Sequence, residues 1–165
     1  MLKQRVITAL VLLAILLPAL FYPSFVPFAV VTLVMMAAGA WEWGRLNGLG
    51  HGASLVLGAL CLALCSLSWA AGWLQLALPW LWTLGGAAWV LGGAWLLRVG
   101  VDGWPRVPRA LRIVGGVLAL WLAWLAVAQA RVAGINFLLS VLTLVWAADI
   151  FAYFAGRAFG LRFTK

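Results

Sequence analysis

One stretch of sequence decides the fold class: Leu142-Thr-Leu-Val-Trp-Ala-Ala-Asp-Ile-Phe-Ala-Tyr-Phe-Ala-Gly-Arg-Ala-Phe-Gly160. It is apolar enough to cross a membrane, yet Asp149 lies about two turns inside it. A charged side chain at the centre of a membrane helix costs roughly 2.5–3.5 kcal/mol on insertion scales. A carboxylate in this position therefore predicts a role, which is to bind a metal, to bind a substrate or to pair with another helix.

The rest of the chain has the same apolar character. Of its 165 residues, 67% are hydrophobic and 8% are charged, whereas soluble domains average about 45–50% and about 25%. We therefore predict an all-α, polytopic transmembrane bundle, with residues 1–165 forming a single integral membrane domain. Runs of about 17–25 apolar residues suffice to span the hydrocarbon core. Six such runs are predicted, with approximate bounds Val6–Tyr22, Ser24–Ala40, Ala53–Trp73, Leu76–Leu97, Ile113–Ala130 and Gly134–Phe154.

The distribution of positive charge orients these six spans. The formal net charge is +8, but the basic residues lie in short segments between apolar runs, which is typical of a membrane protein and not of a nucleic-acid-binding one. If the spans alternate, one side holds Lys3, Arg5, Arg45, Arg98, Arg106, Arg109, Arg112, Arg157, Arg162 and Lys165, and the other holds only Arg131. Because cytoplasmic loops are enriched in Lys and Arg, both termini are predicted to be cytoplasmic.

Three other residue types have predicted structural roles. Many of the 12 tryptophans lie near segment ends, which predicts aromatic belts at the two membrane surfaces. Glycines such as Gly58 and Gly116 recur inside the apolar runs, which predicts close approach of helices. Cys61 and Cys65 have no further metal ligand within sequence reach, so we predict that they are small packing residues.

Polar residues also occur at the predicted ends of spans. Glu42 and Arg45 lie three residues apart in Trp41-Glu-Trp-Gly-Arg, a spacing that permits an ion pair at the cytoplasmic boundary. The alternative is that this pair contacts a substrate. His51 and Asp102 lie in predicted loops, and both are predicted to be solvated polar residues.

Asp149, Tyr153 and Arg157 follow one another at four-residue spacing and therefore share one stripe of a helix. A guanidinium suits phosphate through its fork geometry, and a carboxylate suits Mg²⁺ as a hard oxygen ligand. The stripe is thus a candidate site for a phosphorylated ligand and its metal. The alternative is an internal hydrogen-bonded contact, with Asn136 or Gln129 as the partner.

Three segments, taken in order, resemble the bacterial phosphatidate cytidylyltransferases: Leu2–Leu10, Trp41-Glu-Trp-x-Arg-Leu46 and Trp146–Gly160. The last is the most specific, and the resemblance extends over the whole chain. It implies a multi-pass enzyme of the cell inner membrane, a nucleotidyltransferase of phospholipid biosynthesis that transfers CMP from CTP to phosphatidic acid. The products are CDP-diacylglycerol and pyrophosphate, and the implied cofactor is Mg²⁺. On this resemblance the candidate site residues are Asp149 as catalytic residue and metal ligand, with Tyr153, Arg157, Glu42 and Arg45 as substrate-binding residues.

The sequence departs from this family in one respect. The family's later Lys-Asp, Pro-Gly-His-Gly-Gly and Asp-Arg-x-Asp runs, which supply metal-binding carboxylates, have no counterpart in these residues. We therefore expect the chain to be an N-terminal or truncated part of such an enzyme, inactive alone. The alternative is a non-catalytic transporter or lipid-binding scaffold, and a third candidate is a related CTP-dependent lipid kinase. The expected partners also include the lipid bilayer and a second copy of the chain in a homodimer.

Overall fold

The computed structural model describes residues 2–159, and within that range it confirms the predicted all-α class. The described residues form six α-helices and one short 3₁₀ segment, with no strand among them. The helices are α1 (Leu2–Phe21), α2 (Val26–Leu46), α3 (His51–Ala70), α4 (Pro79–Val99), α5 (Arg109–Ala133) and α6 (Ile135–Phe159). The 3₁₀ segment, Val101–Arg106, lies between α4 and α5.

Helices α2 to α6 are long and apolar enough to cross a membrane, so the protein is a multi-pass helical membrane protein. The apolar part of α1, Val6–Phe21, is shorter. It reaches about 24 Å at about 1.5 Å per residue, against a hydrocarbon core of about 30 Å. Each of the six predicted runs is a helix, but a complete crossing by the first stays a prediction, as does the cytoplasmic location of both termini.

All six helices extend beyond the predicted apolar runs at one end or both, and three of the extensions reach candidate or basic residues. Helix α2 continues past Ala40 to Leu46, α5 begins at Arg109 instead of Ile113, and α6 continues to Phe159. Each predicted span ended where its apolar residues ended. A helix, however, satisfies its own backbone hydrogen bonds and can continue through the membrane–water interface. As a result, Glu42, Arg45 and Arg157, which lie outside the predicted apolar runs, belong to α2 and α6.

The loop predictions need two corrections. His51 is the first residue of α3, not a loop residue, because the chain leaves its extended conformation at Gly50, the N-cap. The turn predicted around Asp102 is the 3₁₀ segment, and the Asp102 side chain lies outside the described part of the structure. The basic residues Arg162 and Lys165 also lie outside it.

Helix α2 occupies the centre of the bundle. It packs against α1, α3 and α5, while α5 also packs against α3 and α6. The main core includes both cysteines, which confirms their packing role. A Cβ on Gly58 would lie 3.0 Å from the Ala37 carbonyl oxygen, and one on Gly44 would lie 3.2 Å from Ser54 Cα. Glycine therefore permits the close approach of α2 and α3, as predicted.

Some tryptophans join helices instead of lying in a surface belt. The Trp124 indole is fully buried and donates a hydrogen bond to the Ala29 carbonyl oxygen at 3.1 Å, which connects α5 to α2. Trp43 donates to the Arg112 carbonyl oxygen at 3.0 Å, and a Cβ on Gly116 would overlap its ring. A buried indole N–H needs an acceptor, so the predicted belt does not account for these two residues.

Two polar residues near the end of α5 hold neighbouring segments in place. Arg131 is only 9% exposed, and it donates from Nε to the Leu20 carbonyl oxygen at 3.0 Å and from Nη2 to that of Tyr22 at 2.6 Å. These carbonyls lie where α1 ends, where a helix lacks backbone donors of its own. Gln129 donates to two carbonyl oxygens of the segment between α3 and α4, at 2.6 and 3.0 Å.

Candidate functional site

The candidate stripe lies on one continuous helix, as its spacing predicted. Asp149, Tyr153 and Arg157 all belong to α6, with Arg157 in the last turn. Asp149 and Arg157 are separated by about 12 Å along the helix axis, at about 1.5 Å per residue. That distance is too long for an ion pair between them, but a ligand with several phosphates is long enough to contact both.

No described part of the chain covers this stripe. Residues 143–158 of α6 are exposed, apart from Ala147, and Tyr153 exposes 64% of its surface. Among the described residues, Asp149 takes part in no ion pair. Neither of its alternative partners bonds to it. Gln129 bonds to Trp82 and to the α3–α4 segment, and Asn136 lies on the same helix, about 20 Å from Asp149 along the axis.

The described residues do not form a metal centre by themselves. They contain no group of three or more His, Cys, Asp or Glu side chains that could hold an ion, and Asp149 offers a single carboxylate. Proteins often bind Mg²⁺ through only one or two carboxylates, with substrate phosphates and water as the other ligands. Asp149 therefore suits a metal–nucleotide complex in which the phosphates complete the coordination, and the Mg²⁺ cofactor stays a prediction.

A second polar feature lies where α2 ends and α3 begins. Glu42 and Arg45 form the predicted ion pair, with 3.6 Å between Oε2 and Nη1, and about half of each side chain is exposed. The Arg45 guanidinium lies 5.1 Å from the Trp41 ring centroid, and the His51 ring meets the Trp41 ring edge-on at 6.4 Å. Around them is an open space of about 550 Å³, here called the polar cleft, lined by Trp41, Glu42, Arg45, Leu46, Leu49 and His51.

An apolar groove adjoins the polar cleft, because Trp41 borders both. The groove has a volume of about 390 Å³ and lies between α2 and α3. Its lining residues are Val34, Ala37, Ala38, Trp41, Leu55, Gly58, Ala59 and Leu62. The Trp41 indole N–H is buried without a hydrogen-bond partner among the described residues, a state that typically costs roughly 1–3 kcal/mol.

Sequence reasoning identified the Glu42–Arg45 pair but missed both cavities. Their walls come from two helices, and only the fold brings Leu49 and His51 next to Trp41. The small residues Gly58 and Ala59 were the one available signal, because small side chains leave space on a helix surface.

Together, the apolar helices and the carboxylate–phenol–guanidinium stripe define an integral membrane protein with groups suited to phosphorylated ligands. The chain belongs to the cytidylyltransferase family, whose model matches residues 3–164. The family resemblance of the sequence is thereby confirmed.

Two curated relatives share most of this chain. A phosphatidate cytidylyltransferase of Pseudomonas aeruginosa is 41% identical over 170 residues, which cover 98% of this chain and 60% of that protein. A phosphatidate cytidylyltransferase of Haemophilus influenzae is 32% identical over 186 residues, which cover 98% of this chain and 62% of that protein. The chain thus spans about three-fifths of the length of these relatives. No solved structure matches it significantly.

Proposed function

We propose that this chain is part of a phosphatidate cytidylyltransferase of the bacterial inner membrane. In the proposed reaction, a phosphate oxygen of phosphatidic acid attacks the α-phosphorus of CTP. The bond to the β-phosphate breaks, and pyrophosphate leaves. Family membership and the names of both relatives support this proposal. The structural observation that carries it is the polar stripe of α6, which no described residue covers.

Each residue of the stripe has a proposed role. The Arg157 guanidinium donates two parallel hydrogen bonds to phosphate oxygens and offsets the charge that develops on them. The Tyr153 hydroxyl donates to a second phosphate. Asp149 supplies one carboxylate for the Mg²⁺ that accompanies the nucleotide, and Mg²⁺, when bound, neutralises charge on the phosphates.

The exposure of Asp149 supports a further part of the proposal. A carboxylate facing lipid costs roughly 2.5–3.5 kcal/mol near the bilayer centre, so the stripe is suited to a protein-lined and partly hydrated environment. We propose that this face of α6 is covered by further helices of the enzyme or by the second protomer of a homodimer.

The test is transfer of labelled CMP from CTP to phosphatidic acid in membranes supplied with Mg²⁺. It compares this chain with the complete product of its locus, and wild type with Asp149→Asn in that product. We expect Asp149→Asn to slow transfer about 10²–10³-fold, as loss of one key electrostatic group does. Thr143→Val, an exposed polar-to-apolar change about 120° around α6 from Asp149, is the control and should leave the rate unchanged.

Full activity of Asp149→Asn at normal protein level would refute the role of the stripe. Absence of transfer in both wild-type preparations would refute the enzyme proposal and favour a transporter or scaffold. Labelled phosphate transfer from CTP to a lipid hydroxyl would instead indicate the lipid kinase. The substrate-contact role of Glu42 and Arg45 stays a prediction, which Glu42→Gln tests in the same assay.

A further inference from the structure

The polar cleft and the apolar groove lie next to each other on α2 and α3, with Trp41 in the wall of both, and are together called the slot below. The cleft lies at the helix ends, and the groove lies deeper along the same two helices. From Glu42 back to Val34, α2 covers about 12 Å. Half of the hydrocarbon core is about 15 Å thick, so the length of the slot is comparable with the thickness of one leaflet.

The slot has the polarity of a phospholipid. Its charged groups lie where α2 ends and α3 begins, the predicted membrane boundary at which a headgroup would lie, and its other wall is apolar, as an acyl chain requires. Ala59 lines the groove with a side chain too short to fill it. The Trp41 indole N–H, in the wall that both cavities share, is buried without a hydrogen-bond partner among the described residues.

The charges in the polar cleft distinguish between headgroups. Arg45 and Glu42 carry opposite charges and lie 3.6 Å apart, each about half exposed. A phosphate monoester that approaches Arg45 also approaches the Glu42 carboxylate, which repels it. A headgroup with a phosphodiester and a primary ammonium offers a partner to each of the two side chains.

The start of α3 adds a further preference for phosphate. Gly50 caps the helix without a side-chain hydrogen bond, so the first backbone N–H groups of α3 have no side-chain acceptor there. Helix N-termini of this kind favour anions. His51, the first residue of the helix, lines the cleft beside Arg45.

We propose that this slot binds a zwitterionic phospholipid of the ethanolamine type. Its phosphodiester contacts Arg45 and the start of α3, its ammonium contacts Glu42, and one acyl chain lies in the apolar groove. Such a lipid differs in headgroup charge from phosphatidic acid, and its binding here is the alternative to the substrate-contact role predicted for Glu42 and Arg45. The proposal does not depend on cytidylyl transfer.

The test is native mass spectrometry of the purified protein in detergent with equal amounts of dioleoyl phosphatidylethanolamine, phosphatidic acid and diacylglycerol. We expect the ethanolamine lipid to be retained about two- to fivefold over phosphatidic acid, the range set by a partly exposed charge pair. Glu42→Gln should abolish that preference, and Arg45→Gln should reduce retention of both phospholipids. Ala59→Phe should reduce retention of all lipids by filling the groove, while Ala94→Phe, an exposed position on α4, should not.

Two results would overturn the proposal. Equal retention of the three lipids, unchanged by Ala59→Phe, would show annular lipid only. Preferential retention of phosphatidic acid that requires Arg45 would show that the slot belongs to the substrate path. Because retention is measured without CTP, failure of the transfer assay leaves this test unaffected.

Discussion

Replacement of Arg131 by Met tests how the end of α1 is held. The guanidinium donates to the carbonyl oxygens of Leu20 and Tyr22, at 3.0 and 2.6 Å, and Met fills similar space without any donor. The variant therefore removes both hydrogen bonds and leaves two carbonyls to find other partners. We expect α1 to loosen from α5 and the protein to unfold at a lower temperature.

The magnitude follows from two opposing terms. Hydrogen bonds to charged groups contribute roughly 1.5–3 kcal/mol each, whereas interhelical bonds in membrane proteins average about 0.6 and reach about 1.7 kcal/mol. Two bonds thus contribute between about 1 and about 6 kcal/mol. Met also avoids the desolvation cost of a buried guanidinium. We therefore expect the free energy of unfolding to fall by about 2 kcal/mol, at the lower end of that range. For a chain of this size the loss lowers Tm by about 4–8 °C.

The protein contains its own reporter for the assay. Its only two cysteines, Cys61 and Cys65, are 1% and 0% exposed in the main core. A thiol-reactive fluorophore therefore reacts as the core opens on heating. Arg131→Lys keeps the charge but loses the planar fork, so its unfolding midpoint should lie between those of wild type and Arg131→Met. Arg98→Met, an exposed change on α4, should stay within about 0.5 kcal/mol of wild type. An unfolding midpoint of Arg131→Met equal to that of wild type would refute the reasoning.

Three further predictions use the same thermal assay. Gly58→Ala places a Cβ 3.0 Å from the Ala37 carbonyl oxygen and should lower the free energy of unfolding by about 1–3 kcal/mol through overpacking. Gly92→Ala, whose Cβ meets nothing within 4 Å, should not destabilise the protein, and equal effects of the two variants would contradict the packing argument. Gln129→Leu removes the hydrogen bonds to the α3–α4 segment. It should lower the free energy of unfolding by about 1–3 kcal/mol and speed proteolysis of that segment, and an unchanged proteolysis rate would contradict this prediction. Trp124→Phe removes a buried interhelical hydrogen bond and part of the ring volume, and it should lower the free energy of unfolding by about 2 kcal/mol. An unchanged unfolding midpoint would show that this hydrogen bond is dispensable.

The apolar runs were sufficient to predict the helices, because a membrane forces each spanning segment to satisfy its own backbone. The ends of those helices were not predictable by the same rule. Glu42 and Arg45 are polar, so they terminated the apolar count, yet they continue α2 by more than a turn. The i, i+4 stripe of Asp149 was predictable, since it depends only on helix periodicity.

Contacts between distant segments were beyond sequence reasoning. The sequence marked Arg131 only as the single basic residue on the predicted non-cytoplasmic side of the membrane. Its acceptors are backbone carbonyls, which carry no residue-specific signal. The slot between α2 and α3 depends on which faces of two helices meet. What faces Asp149 is a question of the same kind, because the surroundings of α6 come from tertiary packing and not from its own periodicity.

The bond from Arg131 to Leu20 also sets an order of events during synthesis. The two residues are 111 positions apart, and ribosomes add about 5–20 residues per second, so the interval between them is about 6–22 s. During that interval α1 has emerged while the donor that secures its end has not been made. The newly made first helix must therefore wait in the insertion machinery or the lipid, and its final docking is a late step of biogenesis that arrival of the fifth helix completes.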